Sequence, residues 1–187
     1  MGHKHSKADI LAGALATAFE DGISQLTFGR VAKRLGINDR MVVYYFPTKD
    51  DLIGAVLVAM GTQLQTTLAS AFTTPAADHI ELLTAAWPVV ATEAADPVFA
   101  LFFEANGLAV TGREPFHSQL RQLMAAWIDW AAAFIVGNDD HRRVEAETAI
   151  ALIDGLLLLR QLSGPDAAER VAMRLGIADR FQQRSAG

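Results

Sequence analysis

The sequence predicts an all-α protein with about nine helices. Three observations predict this class. Apolar residues recur at intervals of three and four residues in most segments, which is the spacing of an amphipathic helix. Glycine, proline and short polar residues stand where these segments begin or end. No stretch alternates polar and apolar residues for long enough to form a strand.

The first helix is expected to begin after Ser6, because Ser6 is a good N-cap and Asp9 is placed to complete a capping box. Gly22 is expected to end it. We expect this helix to support the two helices that follow. Its predicted buried stripe consists of Leu11, Ala14, Leu15, Ala18 and Phe19.

Residues 27–49 carry two short helical patterns separated by Gly36. The first follows Thr27, a suitable N-cap. Its apolar residues are spaced at i, i+3, i+4 and i+7, namely Phe28, Val31, Ala32 and Leu35. The pattern predicts a helix of about two turns that ends at the glycine.

The second pattern begins at Asp39, after Asn38, whose side-chain oxygen is expected to accept the backbone N–H of Met41. Pro47 ends it. Val42 and Phe46 are expected to point inward, while Asp39, Arg40, Val43 and Tyr44 point outward. Two helices joined by a glycine turn form a helix-turn-helix, and the second helix of such a motif fits the major groove of DNA.

The glycine turn and the helical periodicity alone do not distinguish this motif from a plain helical hairpin. The distribution of charge favours the helix-turn-helix. Arg30 falls where the helix dipole favours an acid, so its cation suggests an external anion such as a phosphate. The chain carries a net charge of -5, but residues 1–49 hold seven Lys or Arg against four Asp or Glu. We predict a basic DNA-binding domain over 1–49 and an acidic helical domain over 50–187.

The second domain is predicted to be helical throughout, and Thr48 with Asp51 is expected to form the capping box of its first helix. A kink is expected at Pro88. The expected helices span 48 to about 73, 78–94, 96 to 107 or 112, 114–136, 141–162 and 166 to about 182.

The amino-acid composition excludes several classes of protein. There are no cysteines, so neither a disulfide nor a thiolate metal site is expected. The N-terminus lacks the apolar segment of a signal peptide, and Asp154 interrupts the most hydrophobic run at 149–159. We predict a soluble cytoplasmic protein with no membrane partner, no metal and no cofactor.

Residues 10–52 resemble a known family. The segments ILAGALATAFEDG, T..RVAKRLGIN and YYFPTKDDL are similar to the DNA-binding domain of the TetR (tetracycline-repressor) family of bacterial regulators. The resemblance implies a dimeric repressor that binds a near-palindromic operator in double-stranded DNA and releases it when a small molecule binds the larger helical domain. Val43 and Tyr45 depart from the Tyr and His that the family usually carries there. The sequence leaves open whether Tyr44 or Tyr45 contacts DNA.

Nine residues are predicted to bind DNA. Lys49 resembles the phosphate-contacting lysine of the family, and Arg30, Tyr44 and Thr27 are assigned to phosphates as well. Arg40, Met41 and Val43 are the base-facing candidates. The full set is Thr27, Arg30, Asn38, Asp39, Arg40, Met41, Val43, Tyr44 and Lys49.

Aromatic residues gather in the middle of the second domain, and by default they form core. They could instead line an effector site, which the resemblance supports. Glu104 lies inside an apolar run, and with aromatic neighbours it would suit a cationic, ring-bearing effector. We predict an apolar or aromatic effector bound by Trp87, Phe99, Phe103, Glu104, Trp127 and Trp130.

The last two helices carry stripes that are too apolar for the surface of a monomer, although they could cover the core of the chain itself. The resemblance implies a homodimer through a four-helix bundle. Asp154 falls where the family often has an Asp-Gly pair, which suggests a structural role or a subunit contact. The predicted interface residues are Leu152, Leu156, Leu159, Val171 and Leu175.

Three readings of the function remain open. The leading one is a ligand-responsive repressor. The second is a helical enzyme or ligand carrier with an incidental basic end, but the nucleotide-binding, hydrolase and metalloprotease motifs are missing, so we predict no enzyme. The third is an activator or a ligand-blind regulator with the same DNA-binding domain.

Overall fold

The computed structural model describes residues 5–178, and within that range the chain forms nine α-helices and one short 3-10 helix. The prediction of an all-α fold is confirmed. The helices are α1 (Lys7–Asp21), the 3-10 turn (Ile23–Gln25), α2 (Phe28–Leu35), α3 (Asp39–Tyr45), α4 (Lys49–Ala69), α5 (His79–Val90), α6 (Asp96–Val110), α7 (Phe116–Ala132), α8 (Asp139–Ser163) and α9 (Pro165–Leu175).

The described residues divide into two compact units. One consists of 5–64 with 100–123, and the other of 65–99 with 124–178. The first unit therefore holds α1 to α3, most of α4, most of α6 and the first half of α7. The division of function at residue 49 stays a prediction.

In the first unit, α1 packs against α2 and α3, and the capping box of Ser6 and Asp9 is present. The predicted buried stripe needs correction. Phe19 is exposed, and the buried face of α1 instead consists of Ile10, Gly13, Ala14, Thr17 and Ala18. Gly13 belongs to it because α2 approaches closely, so that a Cβ there would lie 2.8 Å from the Leu35 side chain.

The α4 helix begins with the expected capping box, since the Asp51 amide donates to Thr48 Oγ1 and the Thr48 amide donates to Asp51 Oδ2. Within 5–178, α4 alone has the length and apolar composition of a membrane span. Many of its large apolar side chains are nevertheless buried inside the protein, among them Leu52, Ile53, Val56, Leu57 and Met60.

In the second unit, α8 packs against α5 and α9. The buried Arg160 guanidinium on α8 donates to both carboxylate oxygens of Asp96 at the start of α6, at 2.7 and 2.9 Å. Such a bidentate pair satisfies the charge that the fold buries. The last helix was predicted to reach about residue 182, but α9 ends at Leu175. Its C-cap, Gly176, has the left-handed conformation, and 179–182 lie outside the described residues.

Candidate nucleic-acid interface

The helix-turn-helix is built as the local sequence dictates. Thr27 Oγ1 accepts the amide of Arg30 at 3.3 Å and caps α2. Gly36 ends α2 with φ +65°, a conformation that glycine adopts without steric cost. Asn38 caps α3, but its side chain accepts the amide of Arg40 at 2.9 Å, so the predicted bond from Met41 is wrong.

The orientation of α3 is fixed by two buried side chains, Val42 and Phe46. The opposite side presents Met41, Val43 and Tyr44, with exposed fractions of 37%, 40% and 76%. Asp39 and Arg40 are also exposed. We call Arg40, Met41, Val43 and Tyr44 the reading face.

The two tyrosines at the end of α3 have different roles in the structure. The Tyr45 hydroxyl donates to the backbone oxygen of His5 at 3.1 Å, so Tyr45 ties α3 to the segment before α1. The ring of Tyr44 meets that of Tyr45 edge-on, with 5.0 Å between centroids. Of the two, Tyr44 is therefore the one whose side chain is free to meet a partner.

The cations near the motif fall into two groups. Arg30 pairs with Asp21 at 2.9 Å, and Arg34 pairs with Glu20. The internal partner of Arg30 accounts for a cation at this position, so its placement no longer needs a phosphate to explain it. Among residues 5–178, Lys33, Arg40 and Lys49 form no ion pair, and all three are exposed.

A family model describing bacterial regulatory proteins of the tetR family matches residues 10–56. The match covers all three helices of the motif and the start of α4. Residues 10–56 form a TetR-family DNA-binding domain. The reading face on α3 lies within the matched residues.

Solved structures share the fold of most of the chain. A transcriptional regulator from Rhodococcus sp. Rha1 is 22% identical over 92% of this chain and 94% of that one, with a TM-score of 0.71. The multidrug-binding protein EbrR, solved with imidazole, is 24% identical over 92% and 96%, with a TM-score of 0.68. A TetR transcription regulator from Haloarcula marismortui is 20% identical over 91% and 93%, with a TM-score of 0.68. No curated protein sequence matches significantly.

The first unit, which contains residues 10–56, also contains two of the predicted effector-binding residues, Phe103 and Glu104. The other four belong to the second unit. Trp87 is buried, and its indole N–H donates to Glu169 Oε2 at 2.8 Å. Phe99 is also buried. Both side chains therefore act as core.

Trp127 and Trp130 differ, because they are only half-buried and belong to a cluster of four rings. Their centroids lie 5.2 Å apart, and Trp130 lies 5.0 Å from Phe134 and 5.7 Å from Phe72. Phe72, which follows α4, is not among the residues predicted from the sequence to bind an effector. Only the fold brings it to α7.

Glu104 is not a free carboxylate. One oxygen accepts the amide of Ile23 at 2.9 Å and the other accepts the amide of Ser24 at 3.0 Å. Burial raises the pKa of the Glu104 carboxyl, but the Ser24 hydroxyl and the two amides outweigh it and lower the pKa below its ordinary value. The prediction that Glu104 anchors a cationic effector is therefore not supported, because both oxygens already serve the TetR-family domain.

The predicted interface residues separate as well. Leu156 packs into the core of the chain itself, Leu152 and Leu159 are half-buried, and Val171 and Leu175 are exposed. The prediction is corrected for Leu156, which cannot meet another subunit from there. One side of α8 carries exposed apolar or small residues at intervals of seven, four, three and four positions. This helical spacing can be recognised in the sequence. The residues are Val144, Ala151, Gly155, Leu158 and Leu162.

Proposed function

We propose that the protein is a ligand-responsive transcriptional repressor that binds a near-palindromic operator as a dimer and acts in the cytoplasm. The observation that carries the proposal is the reading face, which lies on the second helix of a TetR-family helix-turn-helix and is exposed. Nothing within residues 5–178 neutralises Arg40, Lys33 or Lys49, so these cations are free to meet phosphates and base edges.

Dimerisation is proposed through α8 and α9. Leu158, Leu162, Val171 and Leu175 are large apolar residues that this chain leaves exposed on these two helices. Exposure of such a surface to water is unfavourable, and a second copy of the chain packed against it would exclude the water. A two-fold axis there would place two recognition helices about 34 Å apart, one turn of DNA or a multiple of it.

The proposed effector is small and apolar or aromatic. Support comes from the half-buried cluster of Phe72, Trp127, Trp130 and Phe134, since aromatic rings prefer stacked or edge-on aromatic partners. The similar fold of EbrR, a multidrug-binding protein solved with imidazole, agrees with this class. An effector that favours one conformation by about 1–3 kcal/mol would be sufficient for release. We assign the chain no catalytic residues.

The experiment is footprinting on DNA upstream of the coding region of the protein, at two salt concentrations, with and without candidate aromatic ligands. The proposal expects protection of one two-fold site that persists at moderate salt and disappears when a ligand is added. Protection that persists with every ligand would leave a DNA-binding regulator without a ligand switch. Weak attraction to every duplex that moderate salt abolishes would overturn the proposal.

A transcription assay distinguishes repressor from activator. A template that carries the protected site ahead of a reporter is expected to give less transcript when the protein is present. More transcript would assign the same DNA-binding domain to an activator.

A further inference from the structure

We propose that α3 reads thymine in the operator through the C5-methyl group, with Val43 and Met41 as the contacting side chains. The inference rests on the proposed function, because it specifies the bases that the reading face recognises. It concerns base chemistry alone and is independent of the effector.

The chemistry of the reading face carries the inference. Guanine is read by Arg or Lys, adenine by Asn or Gln, and cytosine by Asp or Glu. Past the two charged residues at its start, Asp39 and Arg40, α3 offers none of these: its other exposed side chains are Met41, Val43 and Tyr44. The one apolar group that a base pair presents in the major groove is the methyl group of thymine.

Two polar groups next to the reading face already have partners within the chain. Asn38 Oδ1 accepts the amide of Arg40 at 2.9 Å, and the Tyr45 hydroxyl donates to the backbone oxygen of His5. Val43 is β-branched, so it has little rotamer freedom to lose when a methyl group packs against it. Its exposed fraction of 40% leaves room for that contact.

The charges around the face favour DNA over a protein as the occupant. Arg40 lies on α3 itself, while Lys33 on α2 and Lys49 at the start of α4 are exposed and unpaired among residues 5–178. Such cations can contact the phosphates along the major groove of DNA, while the apolar side chains of α3 contact thymine methyl groups on its floor.

The test uses a duplex selected from a random pool by the full-length protein. Each thymine of that duplex is replaced in turn by deoxyuridine, which removes only the methyl group. The affinity is expected to fall about fourfold at one or two positions in each half-site, the effect of one apolar carbon group returned to water. The salt dependence is expected to stay the same, because no charge changes.

Val43→Ser should abolish the loss of affinity at one of those positions, so that duplexes with thymine or with uracil there bind this variant equally well. Val58→Ser is the matched control, since Val58 is an exposed valine on α4 outside the helix-turn-helix. It should retain the full response to deoxyuridine. Both variants change a surface side chain, and a thermal melt establishes that each is folded.

Three results would overturn the inference. If no thymine responds while specific binding persists, the proposed function stands and the methyl readout is wrong. If thymines respond equally in the wild type, Val43→Ser and Met41→Gln, the contact belongs to other residues. If no duplex is selected at all, the proposed function fails first and the readout fails with it.

Discussion

Glu104 on α6 caps the backbone amide of Ser24 at 3.0 Å and that of the preceding Ile23 at 2.9 Å, although 80 residues separate it from Ser24. The two amides open the 3-10 turn between α1 and α2, where Gly22 provides no side-chain cap. A carboxylate from a distant helix thus supplies the cap that the local sequence lacks. It fixes α6 to the entrance of the helix-turn-helix.

Glu104→Gln is expected to lower the free energy of unfolding at pH 7 by about 1–2 kcal/mol, because a charged acceptor becomes neutral and one of its two oxygens is lost. The pKa of Glu104 is lowered in the folded protein, so its contribution is present above the ordinary pKa of 4.5 and is lost as the pH falls below it. Urea unfolding at pH 7 and pH 4 measures the difference. Glu93→Gln, an exposed glutamate, is the control and should change little. An equal loss at both pH values would contradict an ionic cap.

Gly22→Ala is expected to destabilise the protein by about 1–3 kcal/mol. Gly22 has φ +91°, and a Cβ there would lie 3.0 Å from a carboxylate oxygen of Glu104. The matched control is Gly107→Ala on α6, where a Cβ meets nothing within 4 Å. That change should stabilise the helix by up to about 1 kcal/mol. Thermal melts of the two variants should move in opposite directions, and a tolerated Gly22→Ala would refute the close approach.

Lys49→Ala should weaken binding to all duplex sequences and reduce the slope of log K against log salt by about 0.9, because one phosphate contact is removed. Fluorescence anisotropy over a series of salt concentrations measures the slope. Arg170→Ala, an exposed cation on α9, is the control and should leave the slope unchanged. An unchanged slope for Lys49→Ala would remove that residue from the interface.

Leu162→Glu should convert the proposed dimer into a monomer, since it would place a charge in an apolar interface. Leu162 is 78% exposed in the single chain. Val110→Glu is a matched control, because Val110 is 85% exposed but lies at the end of α6. Sedimentation velocity distinguishes the two species. A dimer that survives Leu162→Glu would place the interface elsewhere.

Asp154 on α8 should make stability depend on pH, because burial raises its pKa from 3.8 to about 6. The folded protein therefore holds a proton that the unfolded chain releases, so stability falls as the pH rises from about 4 to 6 and then levels off. Asp154→Asn should remove this slope and stabilise the protein at pH 7 by up to about 3 kcal/mol. Urea unfolding between pH 4 and pH 8 tests it, and a wild-type curve without that slope would show that a partner keeps Asp154 ionised.

The sequence by itself determined the features whose partners lie within a few residues of one another. The capping boxes of Ser6 with Asp9 and of Thr48 with Asp51, and the left-handed Gly36, are local hydrogen-bonding and steric choices. The helix-turn-helix is assembled from such local signals. Its buried and exposed faces on α3 follow from helical periodicity, so they too could be predicted.

Only the tertiary structure decided which side chains have partners outside their own helix. Helix packing allows Glu104 to accept the amide of Ile23 and Tyr45 to donate to the segment before α1. It also pairs Arg30 with Asp21. It also placed Leu156 inside and Leu162 outside, because α8 is apolar on more than one side and periodicity cannot tell which side meets the core. Sequence spacing fixes what neighbours on one helix share, whereas a contact across tens of residues depends on how the helices pack.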